Sequence, residues 1–193
     1  MRNVGRELGV EAMSLYHHIR NKDALLDELA DRIFAQIDLP DTTTPWRPAM
    51  IDRAASARRV LSRHPWALNL IESRRSPGPA LLRHHDSVLG SLRRNGFPVA
   101  LASHAFSAID AYVYGFVLTE LNLPFDTADS AEDVAAEIDV PAQTYPHLAE
   151  LFGELVAGGG YTFADEFDYG LGLILDDLGR RLEQSRASDT ELQ

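Results

Sequence analysis

Residues 2–22 read RNVGRELGVEAMSLYHHIRNK. Val4, Leu8 and Val10, then Leu15 and Ile19, are spaced as the inward sides of two short helices, about Asn3 to Leu8 and Ala12 to His18, joined by a Gly9-Val10 turn. Such a pair is a helix-turn-helix. Its second helix fits the major groove of duplex DNA, and its outward residues meet base edges and phosphates. Here those residues are Glu11, Ala12, Met13, Ser14, Tyr16, His17 and His18. Tyr16, the histidines and Lys22 can donate to phosphate, and Ala12 and Met13 can pack on thymine methyl groups. Lys22 also opens a third helix, whose N-terminal amides favour phosphate. That helix is expected to run from Lys22 to about Asp38 and to bury Leu25, Leu26, Leu29 and Ile33.

The formal charge of −11 is wrong for a DNA binder unless it is unevenly placed. It is uneven. Residues 1–22 carry Arg2, Arg6, Arg20 and Lys22 against Glu7 and Glu11, with His17 and His18 beside them. Residues 95–193 carry eighteen acids against Arg180, Arg181 and Arg186, a balance of −15 that DNA would repel. Any DNA contact is therefore assigned to the N-terminal end.

Beyond Asp38, the stretch Leu39-Pro40-Asp41-Thr42-Thr43-Thr44-Pro45 cannot continue a helix and reads as a linker. Helical spacing then returns. One helix is expected from Trp46 to about Ser62, stopped by His64-Pro65, and another begins near Trp66. Ser76-Pro77-Gly78-Pro79 breaks the chain before a helix over Ala80 to Arg94, with Asn95-Gly96 as its C-cap and Pro98 opening the next. That next helix, Val99 to Leu121, carries a stripe of Phe106, Ile109, Val113, Phe116 and Val117, broadened by Tyr112 and Tyr114, so it is expected to touch two surfaces. The acidic stretch 122–140 is given at most a short helix around Ala131 to Ile138. A helix from Tyr145-Pro146 to about Val156 ends at Gly158-Gly159-Gly160, and a final helix carries Phe163, Phe167, Leu171, Ile174, Leu178 and Leu182, with a frayed tail after Gln184. The fold class is all-α: a helix-turn-helix unit with its connecting helix at 1–38, a linker at 39–45, and a larger helical bundle for ligand binding and dimerisation at 46–187.

The order Leu8-Gly9-Val10, Ser14-Leu15-Tyr16-His17-His18-Ile19, Asn21-Lys22-Asp23-Ala24-Leu25-Leu26 resembles the DNA-binding signature of the tetracycline-repressor family of transcription regulators. Past the linker, Trp46, Arg63-His64-Pro65-Trp66, Asn95-Gly96-Phe97, Gly115, Tyr145-Pro146 and Phe167 with Gly170-Leu171 are similar to the sensor domain of the tetracycline repressor itself. The resemblance implies a homodimeric, ligand-responsive repressor acting on operator DNA in the cytoplasm, without a cofactor. It places Arg2, Glu11, Ala12, Met13, Ser14, Tyr16, His17, His18 and Lys22 at the DNA. The helices after the linker would wall an effector pocket, for which Arg53, Asn69, Phe106, Ser107, Asp110 and Tyr114 are the candidates. The protomers would pair through the Val99 to Leu121 helix or, preferably, through the two helices that follow.

The sequence departs from that family twice. The family has one more helix ahead of the motif, and this sequence opens inside what would be the second, so Val4, Leu8 and Leu25 are expected to be partly uncovered and the chain to be a portion of a longer protein. Tetracycline repressors hold a magnesium-drug complex through histidines, where this sequence has Asp38 and Ile71 or Glu72, so the effector is expected to be something other than tetracycline.

Other classes find less support. Cysteine is absent, which disfavours disulfides, thiolate metal sites and thiol catalysis, and there is no signal segment and no run of eighteen apolar residues to cross a membrane. His84, His85, His104 and Asp110 do not have the spacing of helical metal ligands. Gly158-Gly159-Gly160 lacks the Lys-Ser or Lys-Thr of a phosphate loop. No nucleophile, base or Rossmann constellation appears, so an enzyme is not expected; the rival is a helical adaptor without DNA binding.

Overall fold

The computed structural model describes residues 1–41, 43–73, 77–124, 140–156 and 161–191; within them the side chains of Ala12, Asn69, Glu72, Ser73, 155–156 and 189–191 lie outside the description. Every regular element among the described residues is helical. The helices are α1 (Arg2–Glu7), α2 (Ala12–Tyr16), α3 (Lys22–Phe34), α4 (Trp46–Arg63), α5 (Trp66–Ser73), α6 (Pro79–Arg94) and α7 (Val99–Glu120). After these, α8 (Pro146–Leu151) runs into a π-helical turn at Phe152–Val156, and a 3-10 turn at Phe163–Asp165 leads into α9 (Glu166–Glu191). The short helix expected at 131–138 and the glycine stop at 158–160 lie outside the described residues.

Local chemistry sets most of the ends. Asn21 caps α3 by accepting the Ala24 N–H on Oδ1 at 2.8 Å. α4 stops at His64, which Pro65 holds out of the helical region. Pro79 stands in the first turn of α6, where a missing N–H costs nothing. At the other end Gly96 takes φ +92°, a conformation that a Cβ would strain. The neighbouring Asn95 joins three helices: Oδ1 accepts the Trp46 N–H at 3.2 Å, Nδ2 donates to Ser91 O at 2.9 Å, and its carbonyl accepts from Arg186 Nη2 at 2.7 Å.

The core forms where α7 meets α4, α6 and α9. Ile109, Val113, Phe116 and Val117 of α7 are buried with Leu61, Val88, Leu92, Phe167, Leu171 and Leu175, each burial stabilising by about 1.5–3 kcal/mol. Packing on several sides explains why α7 alone among the described helices is long and apolar enough to cross a membrane, with mean hydropathy 1.2. The Arg58 guanidinium sits over the Phe116 and Phe167 rings, 4.9 and 4.7 Å from their centroids, and pairs with Glu120, tying α4 to α7 and α9.

Four details depart from expectation. Val10, expected inward, is 45% exposed, whereas Val4 and Leu8 are exposed in keeping with the expectation that they would be partly uncovered. Helix α3 ends at Phe34 rather than Asp38: the Asp38 N–H donates to Ser56 Oγ at 3.0 Å, so it is not available to continue the helix. Leu25, Leu26 and Leu29 are half-buried, and the buried part of this region is Ala30, Ile33, Phe34 and Ile37. At the other end α9 continues beyond Gln184 to Glu191, with Leu182 buried and Arg186 on the Asn95 carbonyl.

Candidate nucleic-acid interface and buried polar cluster

The first site is a surface. Gly9 takes φ +68°, and the Val10 N–H returns to Gly5 O at 2.9 Å, closing the turn between α1 and α2. Glu11 is extended at the start of α2, and the Ile19 N–H reaches Leu15 O at 2.9 Å, so helical bonding carries on past Tyr16. Leu15 and Ile19 are half-buried toward the rest of the unit. Opposite them, Met13 is 68% and Tyr16 45% exposed, and Glu11, Ser14, His17 and His18 are exposed as well. Arg2 and Lys22 are exposed at the starts of α1 and α3. The Ala12 side chain lies outside the described residues.

The second site is buried. Arg53 in α4 is 1% exposed and forms an ion pair with Asp110 of α7. Its Nε and Nη2 lie 3.0 and 2.7 Å from His84 Nε2 of α6. A guanidinium only donates, so His84 Nε2 accepts and the imidazole proton must sit on Nδ1. The imidazole is neutral: burial first, then the Arg53 charge, then His85, push its pKa down to about 3. His85 is lowered as well, by burial first and by Arg53, against the raising influence of Asp110.

Around this centre the Tyr114 hydroxyl approaches Asp110 Oδ2 at 3.5 Å, and the Phe106 ring stands edge-on to His85 at 4.6 Å. Among the described residues the buried Arg53 Nη1, His84 Nδ1, Ser91 Oγ and Asp110 Oδ1 have no hydrogen-bond partner. Each such group costs about 1–3 kcal/mol unless something else satisfies it.

The structure thus gathers Arg53, Asp110, Tyr114 and Phe106, while Ser107 is exposed elsewhere on α7. Asn69 sits in α5 with its side chain outside the described residues. His84 and His85 join this cluster, and sequence reasoning did not place them there. The signal was present in spacing: His84, Val88, Ser91 and Leu92 form the buried stripe of α6. Asp38, aligned with a metal-drug histidine in the resemblance, is committed to Ser56 and Arg59 of α4, its Oδ2 lying 2.8 and 3.0 Å from their donors. Among the described residues no three His, Cys, Asp or Glu side chains converge as metal ligands.

The two sites are joined through α3 and α6. Asp31 of α3 accepts the Ala80 and Leu81 N–H groups at 2.8 and 3.0 Å, capping α6 from another helix. Gly78 is required there, because a methyl group at that Cα would overlap the Asp31 carboxylate. Further along α6, His84 meets the Phe34 ring of α3 at 5.8 Å.

Comparison with known proteins adds the relatives. Residues 39–182 match the family model described as "Tetracyclin repressor-like, C-terminal domain". The chain is 35% identical over 162 residues to an HTH-type transcriptional regulator of Saccharopolyspora erythraea, covering 83% of this chain and 67% of that one. It is 30% identical over 200 residues to the HTH-type transcriptional repressor DrrR1 of Streptomyces coeruleorubidus, covering 96% and 72%. In fold it is similar to the Streptomyces coelicolor TetR family protein ActR in complex with actinorhodin, with TM-score 0.75 and 23% identity over 94% of this chain and 87% of that one.

Proposed function

This chain belongs to the tetracycline-repressor family of transcriptional regulators, and from that membership we propose that it represses transcription as a homodimer on operator DNA in the cytoplasm and is released by a small molecule other than tetracycline. The observation that carries this reading is the exposed face of α2, with Tyr16, His17 and His18 outward, mounted on a helix that caps the helix holding a buried, incompletely paired polar cluster.

In this reading residues 1–38 are the reading head, 39–45 the linker, and 46–187 the sensor and dimerisation domain. Arg2, Glu11 to Ser14, Tyr16, His17, His18 and Lys22 meet the DNA. The effector enters among Arg53, Asn69, Phe106, Asp110 and Tyr114; Ser107, exposed elsewhere on α7, is left out of the pocket. Asp38 and Ile71 or Glu72 stand where histidines would hold a metal-bound tetracycline, which supports a different effector.

Pairing is assigned to α8 and α9. No described residue of α8 is buried in the protomer, Leu148 and Leu151 are exposed on it, and Tyr169 and Leu173 are exposed on α9. A groove of about 600 Å³ between α7 and α9, lined by Leu101, His104, Ala108, Leu173, Ile174 and Leu178 with Asp177 and Arg181 at its edge, continues that face. Two reading heads one helical turn apart, roughly 34–36 Å, call for a near-palindromic operator.

Release follows if the effector prefers a position of α6 that moves α3, since a ligand shifts an equilibrium only by its differential affinity. The test is a gel shift of the protein against its own promoter region. Tyr16→Phe or His17→Ala is expected to weaken binding about tenfold, the order of one lost contact at DNA. Unchanged affinity in both, or no DNA retained at any salt, overturns the DNA reading and leaves an adaptor.

A further inference from the structure

We infer that Asp38 is a positioning residue: its clasp on Ser56 of α4 fixes the angle at which α3 holds the reading head. This rests on the reading of the chain as a DNA-binding regulator and names what sets the head against the sensor.

The clasp uses everything that Ser56 can offer. Ser56 is 1% exposed, and a serine hydroxyl has one proton to give and two lone pairs to receive with. All are spent in one place. Ser56 Oγ donates to Asp38 Oδ2 at 2.8 Å, accepts the Asp38 N–H at 3.0 Å and accepts from Arg59 Nη2 at 3.2 Å. Arg59 Nη2 also reaches Asp38 Oδ2 at 3.0 Å, but that ion pair is exposed and contributes little by itself. The weight lies on the buried hydroxyl. If Asp38 withdraws, the Ser56 O–H loses its acceptor inside the bundle, so a partly opened clasp is disfavoured.

Its place in the chain turns a local bond into an angle. The head is carried on α3, and the stem of α3 is anchored at two points: Asp31 caps α6, and Asp38, just past the end of the helix, is clasped to α4. Arg53 closes the third side, joining α4 to α6 through His84 Nε2 at 3.0 Å. A single anchor would leave α3 to pivot on its apolar contacts, whereas two anchors on different helices set its direction. A shift of α4 against α6 must therefore turn α3 or open one of the two joints. Ser56 lies about one helical turn from Arg53 on α4, so the clasp stands next to the sensor cluster.

The test uses the full chain, which has no cysteine, with two introduced for spin labels at exposed positions, Glu7→Cys in the head and Asp86→Cys on α6. Labelled protein is diluted into excess unlabelled protein, so the distance read by pulsed electron–electron double resonance lies within one protomer whatever the oligomeric state. Ser56→Ala removes the clasp without leaving a buried polar group. It is expected to broaden a single narrow head-to-sensor distance and to lower affinity for the protein's own promoter region about fivefold, the order of one lost hydrogen bond, while the urea midpoint holds. Asp38→Ala should broaden the distance likewise, and Asp38→Asn, which keeps an oxygen for the Ser56 hydroxyl, should restore it. A distance that stays narrow in both Ser56→Ala and Asp38→Ala overturns the proposal. So does broadening with undiminished promoter affinity, or an Asp38→Asn protein as broad as Asp38→Ala. Broadening in Ser56→Ala that comes with a lower urea midpoint would mean a loosened core and overturns it too. An unsubstituted protein that retains no DNA at any salt, while Ser56→Ala still broadens the distance, keeps the clasp and sinks the regulator.

Discussion

The reading head and the sensor bundle follow opposite rules of burial. In the head, α1 and α2 expose Val4, Leu8, Met13 and Tyr16, and the leucines of the first half of α3 are half-buried. In the sensor, even the charged Arg53 and Asp110 are enclosed. The change falls within one helix: α3 passes from half-buried Leu25, Leu26 and Leu29 to buried Ala30, Ile33 and Phe34 where it docks on α5 and α6. Under the proposed function, exposure would let the head reach DNA while the docked end of α3 holds it, and enclosure would let the sensor discriminate a small molecule. Regions of such different packing should respond differently to the same kind of substitution.

The largest effect is expected at Arg53. Arg53→Ala leaves Asp110 enclosed without its counter-charge and should cost about 3–5 kcal/mol, read as a lower midpoint in urea. Replacing both partners, Arg53→Met with Asp110→Leu, should recover most of that loss, since a buried pair is often no better than packed apolar groups. A double variant as unstable as Arg53→Ala would show that the pair contributes more than mutual neutralisation and would weaken the contrast drawn here.

The same contrast governs what the sequence could disclose. Periodicity is a property of neighbours along the chain, so the stripes of α7 and α9, the proline break ahead of α6 and the Asn95-Gly96 stop were legible, as was the outward set on α2. Long-range partners were not. Nothing near Asp38 announces that its N–H will go to Ser56, and nothing near Gln184 announces that Arg186 will hold Asn95. His84 could be placed on α6 but not as an acceptor facing Arg53, because that depends on how α4 and α6 are set against each other. Inward placement of Val10 failed for a related reason: periodicity tells which side of a helix is apolar, not what packs against it.

A second, smaller effect should appear with pH. His84 titrates near 6.5 when unfolded and is held down to about 3 when folded, so the unfolded chain binds the extra proton between those values. Stability is therefore full above about pH 6.5 and falls as pH drops toward 3, with a slope of at most one proton, about 1.4 kcal/mol per pH unit. His84→Gln, which can still accept from Arg53 but does not titrate, should remove that slope when urea midpoints are compared between pH 7 and 5. Identical pH profiles for the two proteins would mean that the imidazole is protonated in place. The neutral donor assigned to His84 would then be wrong.

The smallest expected effect lies at the joint between the regions and says most about how they communicate. Asp31→Ala removes the side chain that caps α6 from α3 and should cost about 1 kcal/mol, the usual value of a lost cap. Asp31→Asn, which retains an acceptor oxygen, should recover much of it. Gly78→Ala attacks the same contact from the other partner by pushing a methyl group into the Asp31 carboxylate. If the cap is what fixes α3 to α6, Asp31→Ala and Gly78→Ala should both speed amide exchange in the first turn of α6 and in α3 together, and both should lower DNA affinity without touching a residue of the α2 face. Faster exchange confined to α6, with α3 and DNA binding unchanged, would mean that Phe34 and its buried neighbours hold the joint by themselves. The route from sensor to head would then run through the apolar contact instead of the carboxylate.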